Sequence, residues 1–282
     1  GGQGVDALYG GAGNDFLYAS IGSNKEESGD FYFGGKGEDA LIYSSIEYNG
    51  QNVLGFIEYD ARDVVTGSFS NSVHSFNLNN LHSIKGFSSE GNLLHQAYVA
   101  DIEAIIGTSG DDKFYGSNKL SEFDSHVQLN ALGLNDEAYE AFAPGIGTDL
   151  IDGGEGYDEV TYAWGSGSER SANIDLAIGR ATITQGGVSY TDTILNIEGV
   201  EGSNGNDIIK GSDGANSLDG RSGDDEIDGG LGFDFVEYNG LFSKTVEVNL
   251  ETGIAKDGRG FTDTLSNIEG VIGSNGDDIF IG

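Results

Sequence analysis

The sequence contains no cysteine, no methionine and only 1 proline among its 282 residues. The absence of cysteine excludes disulfide bonds, zinc sites built from cysteine and catalysis by a thiol. An extracellular location remains open, but another source of stability must then replace the disulfide bond. No apolar run approaches the length of a membrane span, so we expect no transmembrane segment.

Basic residues are scarce, because 13 Lys and Arg face 47 Asp and Glu, which gives a formal net charge of −34. Such a charge repels nucleic acid and anionic lipid, so we expect neither as a partner. It also calls for compensation, and small cations are the usual source. The sequence has no G-x-S-x-G, H-E-x-x-H or P-loop motif, so we expect no enzyme active site in this segment.

Glycine is abundant, at 48 residues, and it follows a nine-residue period. The chain opens with GGQGVDALY and then GGAGNDFLY, in which glycine falls at places one, two and four, aspartate at place six and leucine at place eight. The unit recurs at 34–42, 107–115, 144–161, 202–237 and 273–281. A fixed short period of this kind is the signature of stacked repeats.

The pattern predicts an all-β coil made of paired nonapeptides. Glycine at places one, two and four permits a tight turn, and places seven to nine are long enough only for a short strand. The place-eight side chain points inward. Two units form one flattened coil, with turns on opposite sides and a thin apolar core between two parallel sheets. The predicted core residues are Leu8, Leu17, Leu41, Phe114, Ile151, Val160, Ile209, Leu218, Ile227, Val236 and Phe280.

A second, longer repeat lies between the clusters of nonapeptides. Residues 172–211 and 246–282 both carry an alternating strand followed by TDT, NIEGV and a new nonapeptide, and a more divergent copy runs from 75 to 116. Such alternation is typical of a half-buried strand. We predict one continuous solenoid with these segments: nonapeptide turns with a short insertion at 1–43, a strand module ending in a nonapeptide at 44–117, an inserted loop or short helix at 118–143, and nonapeptides plus a strand module at 144–212 and again at 213–282.

The segment 118–143 follows neither repeat. Asn135 or Asp136 is a candidate N-cap for a short helix that would end near Phe142, because Pro144 follows as a stop signal. We therefore predict a helical or irregular insertion that loops away from the solenoid. A site for a partner is the alternative interpretation of this segment.

The aspartates at place six predict a bound cation. Turns on one side of the coil stack at the strand spacing of about 4.8 Å. Two carboxylates at that distance repel each other by about 0.9 kcal/mol in water and by about 3.5 kcal/mol at an effective dielectric constant of about 20. A hard divalent cation between adjacent turns, held by carboxylate and carbonyl oxygens, reverses this repulsion. Oxygen ligands in a flexible turn favour Ca²⁺ over Mg²⁺, which demands a tighter geometry.

The nonapeptide rows resemble the calcium-binding repeats of the RTX (repeats-in-toxin) proteins, and the module ending in NIEGVIGSNGDDIFIG is similar to those of long secreted RTX adhesins. The resemblance implies a right-handed parallel β-roll with several Ca²⁺ ions between successive turns. It also implies type I secretion and folding only outside the cell. Carried over place by place, it implies these metal ligands: Asp6, Asp15, Asp30, Asp39, Asp112, Asp149, Asp158, Asp207, Asp225, Asp234 and Asp278.

Individual positions refine this ligand set. We predict that Asp207 and Asp225 share a cation, because their turns lie two units apart and therefore on one side of the coil. Asn216 stands where the pattern has aspartate, which predicts a weakened site. Asp192 and Asp263, in the two TDT sequences, are open to two interpretations: each is either a further ligand or a turn cap that binds backbone amides.

These features predict a calcium-dependent structural or adhesive scaffold of a Gram-negative bacterium, extracellular or at the cell surface. One alternative is the secretion and folding tail of an extracellular enzyme or cytolysin whose catalytic part lies elsewhere. Another is a carbohydrate-binding module that uses Trp164 and exposed tyrosines. Repeats reach both ends of the sequence, so we expect stacking on neighbouring copies head-to-tail, with surface polysaccharide as a further candidate partner.

Overall fold

The computed structural model of the protein describes residues 7–19, 30–36, 39–42, 47–48, 51–52, 56–70, 75–87, 93–100, 104–107, 112–115, 139–163, 170–239 and 245–282. All regular elements among these residues are β-strands. None of the described residues forms a helix that could cross a bilayer. The chain divides into two compact units, with the described residues up to Gly156 in the first and those from Tyr157 onward in the second.

Two sheets make up most of the first unit. Its strands are β1 (Ala7–Ala12), β2 (Phe16–Tyr18), β3 (Asp30–Lys36), β4 (Ala40–Ile42), β5 (Glu47–Tyr48), β6 (Gln51–Asn52), β7 (Phe56–Ser70), β8 (Ser75–Phe87), β9 (Leu93–Ala100), β10 (Ala104–Ile106), β11 (Lys113–Tyr115), β12 (Tyr139–Ala143) and β13 (Leu150–Asp152). One sheet has the order β1-β3-β9-β8-β7-β11-β13 and the other β2-β4-β10-β12, while β5 and β6 pair separately. Neighbours are parallel except in β7-β8-β9 and β5-β6.

The second unit repeats this arrangement. Its strands are β14 (Tyr157–Thr161), β15 (Arg170–Asp175), β16 (Arg180–Gln185), β17 (Val188–Leu195), β18 (Gly199–Glu201), β19 (Ile208–Lys210), β20 (Ser217–Asp219), β21 (Glu226–Asp228), β22 (Phe235–Glu237), β23 (Glu247–Asn249), β24 (Ile254–Lys256), β25 (Thr262–Ser266), β26 (Gly270–Ile272) and β27 (Ile279–Ile281). One sheet has the order β17-β16-β15-β19-β21-β25-β24-β23-β27, and the other β14-β18-β20-β22-β26.

The nonapeptides form the predicted parallel β-roll. Successive units alternate between the two sheets, so that Ile209 pairs with Ile227 in one sheet and Leu218 with Val236 in the other. The place-eight side chains fill the space between the sheets, and burial of each aliphatic side chain contributes about 1.5–3 kcal/mol. The predicted core residues that the structure buries are Leu17, Leu41, Phe114, Ile151, Val160, Ile209, Leu218, Ile227 and Val236.

Two predicted core residues are exposed instead. Leu8 is 38% exposed and Phe280 is 50% exposed. Each lies in a strand at the end of a sheet order, β1 for Leu8 and β27 for Phe280, and is paired on one side only. The place-eight pattern therefore fails for burial at these two end strands, whereas Leu17 in the end strand β2 is buried, at 2% exposure.

The long modules are antiparallel meanders, a direction of pairing that their alternating sequence does not predict. Strands β15, β16 and β17 pair antiparallel, and so do β23, β24 and β25. Gly186 and Gly187 both have positive φ and form the two-residue turn between β16 and β17, as tight hairpins require. Alternate side chains such as Ala172, Ile174 and Ile183 are buried, so the predicted half-buried strands are confirmed.

The predicted helix that ends near Phe142 is wrong for its last turn. Tyr139–Ala143 is the strand β12, which pairs in parallel with β10. Phe142 is fully buried, and its ring centre lies 5.7 Å from that of Phe114. Burial of this large aromatic side chain outweighs the capping signal and the helix propensity of the segment. Residues 118–138 of the predicted insertion lie outside the described residues, as does Trp164.

Candidate metal-binding turns

The side chain at place six links each turn to the next turn on the same side of the coil. Asp225 Oδ1 accepts a hydrogen bond from the backbone N–H of Asp207 at 2.8 Å, and Asp263 Oδ1 accepts one from the N–H of Asp225 at 3.1 Å. On the opposite side, Asp234 Oδ1 accepts one from the N–H of Asn216 at 2.8 Å. Asp207 and Asp225 are 18 positions apart, so turns two units apart share a side, as predicted.

The first unit contains the same links. Asp39 Oδ1 accepts a hydrogen bond from the N–H of Asp15 at 2.8 Å, and Asp149 Oδ1 accepts one from the N–H of Asp112 at 2.7 Å. Most of the predicted ligands are buried. Those with at most 3% exposure are Asp39, Asp112, Asp149, Asp158, Asp207, Asp225 and Asp234.

The remaining predicted ligands differ from this group in exposure. Asp30, the first residue of β3, is 9% exposed. Asp15 and Asp278 are half-buried. Asp6 lies outside the described residues.

Two glutamates that the sequence analysis did not single out occupy the place-six position on the second side. Glu198 Oε2 accepts a hydrogen bond from the N–H of Asp158 at 3.0 Å, and Glu269 Oε2 accepts one from the N–H of Asp234 at 2.9 Å. Both belong to a NIEGV sequence and come directly before a three-residue strand, β18 or β26. That spacing to the strand, which matches the place-six aspartates, is the signal that would have identified them.

Asp192 and Asp263 of the TDT sequences accept hydrogen bonds from buried tyrosines. The hydroxyl of Tyr162 donates to Asp192 Oδ2 at 3.0 Å, and that of Tyr238 donates to Asp263 Oδ2 at 2.8 Å. Asp263 also accepts the N–H of Asp225. Asp263 thus binds a backbone amide from within β25, as the place-six aspartates do, and this contact does not decide between the two interpretations. The tyrosine contact was not foreseen.

Glycine at place one leaves room for the place-six carboxylate to pack against the backbone of its own turn. A Cβ built on Gly229 would lie 2.8 Å from Asp234 Oδ2 and 2.0 Å from the carbonyl oxygen of Asn267. A Cβ on Gly10 would likewise lie 2.8 Å from Asp15 Oδ2. These separations are well below van der Waals contact, so place one of both turns has room for a hydrogen atom only.

Burial raises the pKa values of the carboxylates in these columns when no cation is near them. Burial and then the charges of Asp207 and Asp263 raise the pKa of Asp225 to about 8. Burial is also the main cause that raises the pKa values of Asp207 and Asp263 to about 6. On the opposite side, burial raises the pKa of Asp234 to about 6. Ionising Asp225 at neutral pH is therefore unfavourable unless positive charge is added. Burial also makes the ionised forms of Asp207, Asp263 and Asp234 less favourable than they are in water.

The chemistry of the turns fits a hard cation such as Ca²⁺. Asp234 is fully buried, and its Oδ2 has no hydrogen-bond partner among the described residues. The same holds for Asp15 Oδ2 within the described part of the chain. A buried carboxylate oxygen without a donor is costly, and coordination of a cation would satisfy it. Asp15 and Asp234 are thus the residues that the geometry best suits to hold Ca²⁺.

Carboxylates alone do not complete a site. The described residues contain no group of three or more His, Asp or Glu side chains that could hold a metal ion. Carbonyl oxygens lie close to the turn of Asp234: those of Ser212 and Gly214 are 2.4 and 2.6 Å from the positions that a Cβ would take on Gly230 and Gly232, and that of Ser212 also accepts the N–H of Leu231. Ca²⁺ accepts such a mixture of carboxylate and carbonyl oxygens.

Comparison with known proteins finds a match to the nonapeptides. A family model described as the RTX calcium-binding nonapeptide repeat matches the chain in 4 copies, over residues 1–25, 100–118 and 201–236. The chain matches none of the curated proteins with which it was compared. The matched residues include the turns of Asp15, Asp207, Asp225 and Asp234, in which the carboxylate columns lie.

Proposed function

Because this chain carries RTX calcium-binding nonapeptide repeats, we propose that it is a calcium-dependent scaffold segment of a secreted bacterial RTX protein, with a structural or adhesive role outside the cell. In this proposal the chain is unfolded at the low calcium concentration of the cytosol and folds when it meets extracellular calcium. The segment supports the protein mechanically and has no catalytic activity of its own.

The observation that carries the proposal is the column of buried carboxylates at Asp207, Asp225 and Asp263. Consecutive members are joined side chain to backbone, and each is at most 3% exposed. Burial without a nearby positive charge raises the pKa of the central member, Asp225, to about 8. Ca²⁺ bound beside Asp225, the central member, would supply the missing positive charge. Calcium would therefore decide whether the chain folds, as in other domains whose metal site forms only on folding.

A scaffold role is supported by how the strands are connected. In each unit the parallel strands continue from one turn to the next, and the antiparallel meanders extend the same sheets. Each nonapeptide contributes only three residues of strand, so stability must come from the stack of turns rather than from a thick core. Such a stack transmits force along its length only while its turns are held together.

Single-molecule stretching of the chain in calcium and in chelator tests the scaffold role. In about 1 mM Ca²⁺, within the range for extracellular modules, we expect discrete unfolding events that disappear in chelator and return when calcium is restored. Identical force curves in the two conditions would contradict the proposal.

A glycan array probed with the calcium-loaded chain tests the adhesive target. Binding to a defined polysaccharide would favour the carbohydrate-binding alternative over an inert spacer. No binding, together with calcium-dependent mechanical resistance, would support a structural segment. An array probed in chelator is the matched control, because it separates binding by the folded turns from binding by the unfolded chain.

A further inference from the structure

The turns of the second unit fall into two classes that differ at place two. In the turns of Asp225 and Asp234, place two is Arg221 or Gly230, with φ of 67° and 94°. In the turns of Asp207, Asn216 and Asp278, place two is a serine, and none of these serines has a positive φ. The serines are visible in the sequence, but their effect on the place-six side chain appears only in the hydrogen bonds.

In the serine turns, the serine satisfies the place-six side chain. The backbone N–H of Ser203 donates to Asp207 Oδ2 at 2.6 Å, and Ser203 Oγ lies 2.7 Å from Asp207 Oδ1. The N–H of Ala172 also donates to Asp207 Oδ1, at 2.6 Å. Both oxygens of this carboxylate therefore have donors within the protein.

In the other serine turns the serine at place two also donates to Oδ1 of the place-six side chain. Ser212 donates its N–H to Asn216 Oδ1 at 2.7 Å. Ser274 Oγ donates to Asp278 Oδ1 at 2.8 Å, and the N–H of Gly276 donates to Ser274 Oγ at 2.9 Å. The presence of Asn216 fits the pattern, because a neutral amide oxygen can accept the serine N–H as well as a carboxylate can.

In the turns with positive φ, the place-two N–H points elsewhere. The N–H of Gly230 donates to Asp228 Oδ1 at 3.2 Å, and the N–H of Arg221 donates to Asp219 Oδ1 at 2.7 Å. Each acceptor stands at place nine of the preceding unit. Asp234 Oδ2 is consequently buried without a hydrogen-bond partner among the described residues.

We propose that the residue at place two decides which turns bind calcium. A turn with positive φ at place two leaves a place-six carboxylate oxygen without the place-two N–H and open to the cation, as at Asp234 Oδ2, whereas serine at place two donates to the place-six side chain and competes with the cation for it. Asp234 is then a ligand, and so is Asp225 by the positive φ of Arg221 at its place two. Asp207 and Asp278 are structural, although the family pattern assigns all four the same role. This inference rests on the proposed calcium binding. It predicts that the number of bound Ca²⁺ ions is smaller than the number of aspartates at place six.

Counting bound calcium by equilibrium dialysis with elemental analysis tests the inference on the full chain. Asp234→Asn and Asp207→Asn are isosteric changes in the same run of turns, so one is the matched control for the other. We expect Asp234→Asn to lose at least one bound ion and Asp207→Asn to bind as many ions as the wild type. Far-UV circular dichroism at saturating calcium verifies that both variants fold.

Three outcomes are decisive. Equal loss of ions in Asp207→Asn and Asp234→Asn would overturn the role of place two while leaving calcium binding intact. A wild-type chain that binds no calcium would overturn the proposed function itself. If Asp234→Asn does not fold, the pair Asp15→Asn and Asp278→Asn is compared in the same way, with loss of an ion expected only for Asp15→Asn.

Discussion

At the scale of the residue, each place in the nonapeptide has its own physical task. Place one must be small because the place-six carboxylate lies against it, as at Gly229 and Asp234. Place eight must be apolar because it faces the opposite sheet, as at Val236. These requirements are local, so the sequence alone predicts them. What the sequence does not reveal is which carboxylate oxygens already have a donor, since that depends on the hydrogen bonds of the serine turns.

Replacing Gly229 by alanine tests the requirement for glycine at place one. The new Cβ would lie 2.0 Å from the carbonyl oxygen of Asn267, so backbone must move. We expect Gly229→Ala to lower the free energy of unfolding in saturating calcium by about 1–3 kcal/mol. Gly214→Ala is the control, because its Cβ would meet no atom nearer than Ser212 Oγ at 3.6 Å, and it should change stability by less than about 0.5 kcal/mol. Urea unfolding measures both, and equal losses would contradict the steric requirement.

The raised pKa values predict that acid stabilises the fold of the metal-free chain. Asp225 has a pKa of about 8 when folded, against an ordinary value of 3.8. Its protonated form is therefore favoured by folding, and this contribution is complete below about pH 4 and lost as the pH rises towards 8. In chelator, we expect more β-sheet ellipticity at pH 5 than at pH 8. Asp225→Asn should reduce this difference, and an increase in ellipticity with pH would contradict the assignment.

At the scale of the element, the sequence predicts the short strands of the nonapeptides better than it predicts how the strands of the long modules pair. The alternation in TVEVNL correctly indicates the strand at β23, but the direction of pairing depends on the turns after it. The helical signal before Phe142 fails because the residue packs against Phe114 from a different rung, which no local pattern records. Glu198 was overlooked because it is a glutamate outside a nonapeptide, although it precedes β18 as a place-six aspartate precedes its strand, and the pairing of β18 with β20 makes this equivalence plain.

In each meander of the second unit, an aspartate accepts a hydrogen bond from a buried tyrosine hydroxyl. The contribution of this hydrogen bond to stability can be tested. Tyr238→Phe removes the hydroxyl that donates to Asp263 Oδ2 at 2.8 Å and leaves a buried carboxylate oxygen without that donor. We expect a loss of about 1–3 kcal/mol in the free energy of unfolding at saturating calcium. Tyr190→Phe, at a half-buried tyrosine on β17, is the control and should change stability little. A similar effect of the two substitutions in denaturant unfolding would argue against a specific role for Tyr238.

At the scale of the whole molecule, charge is the dominant constraint. The net charge of −34 is spread over 282 residues with only 13 Lys and Arg to oppose it, and self-repulsion of this kind destabilises a compact state. Neither the thin core nor disulfide bonds can compensate, because the strands are short and cysteine is absent. We therefore propose that folding is coupled to the binding of cations.

The most direct test of this coupling is a calcium titration of the metal-stripped chain at neutral pH, followed by far-UV circular dichroism. We expect a largely disordered spectrum in chelator that becomes β-rich in one cooperative transition at about 0.1–1 mM Ca²⁺, the range for extracellular modules. Mg²⁺ at the same ionic strength should not reproduce the transition. A chain that is fully folded in chelator at pH 7, and that unfolds cooperatively on heating there, would contradict the coupling of folding to calcium.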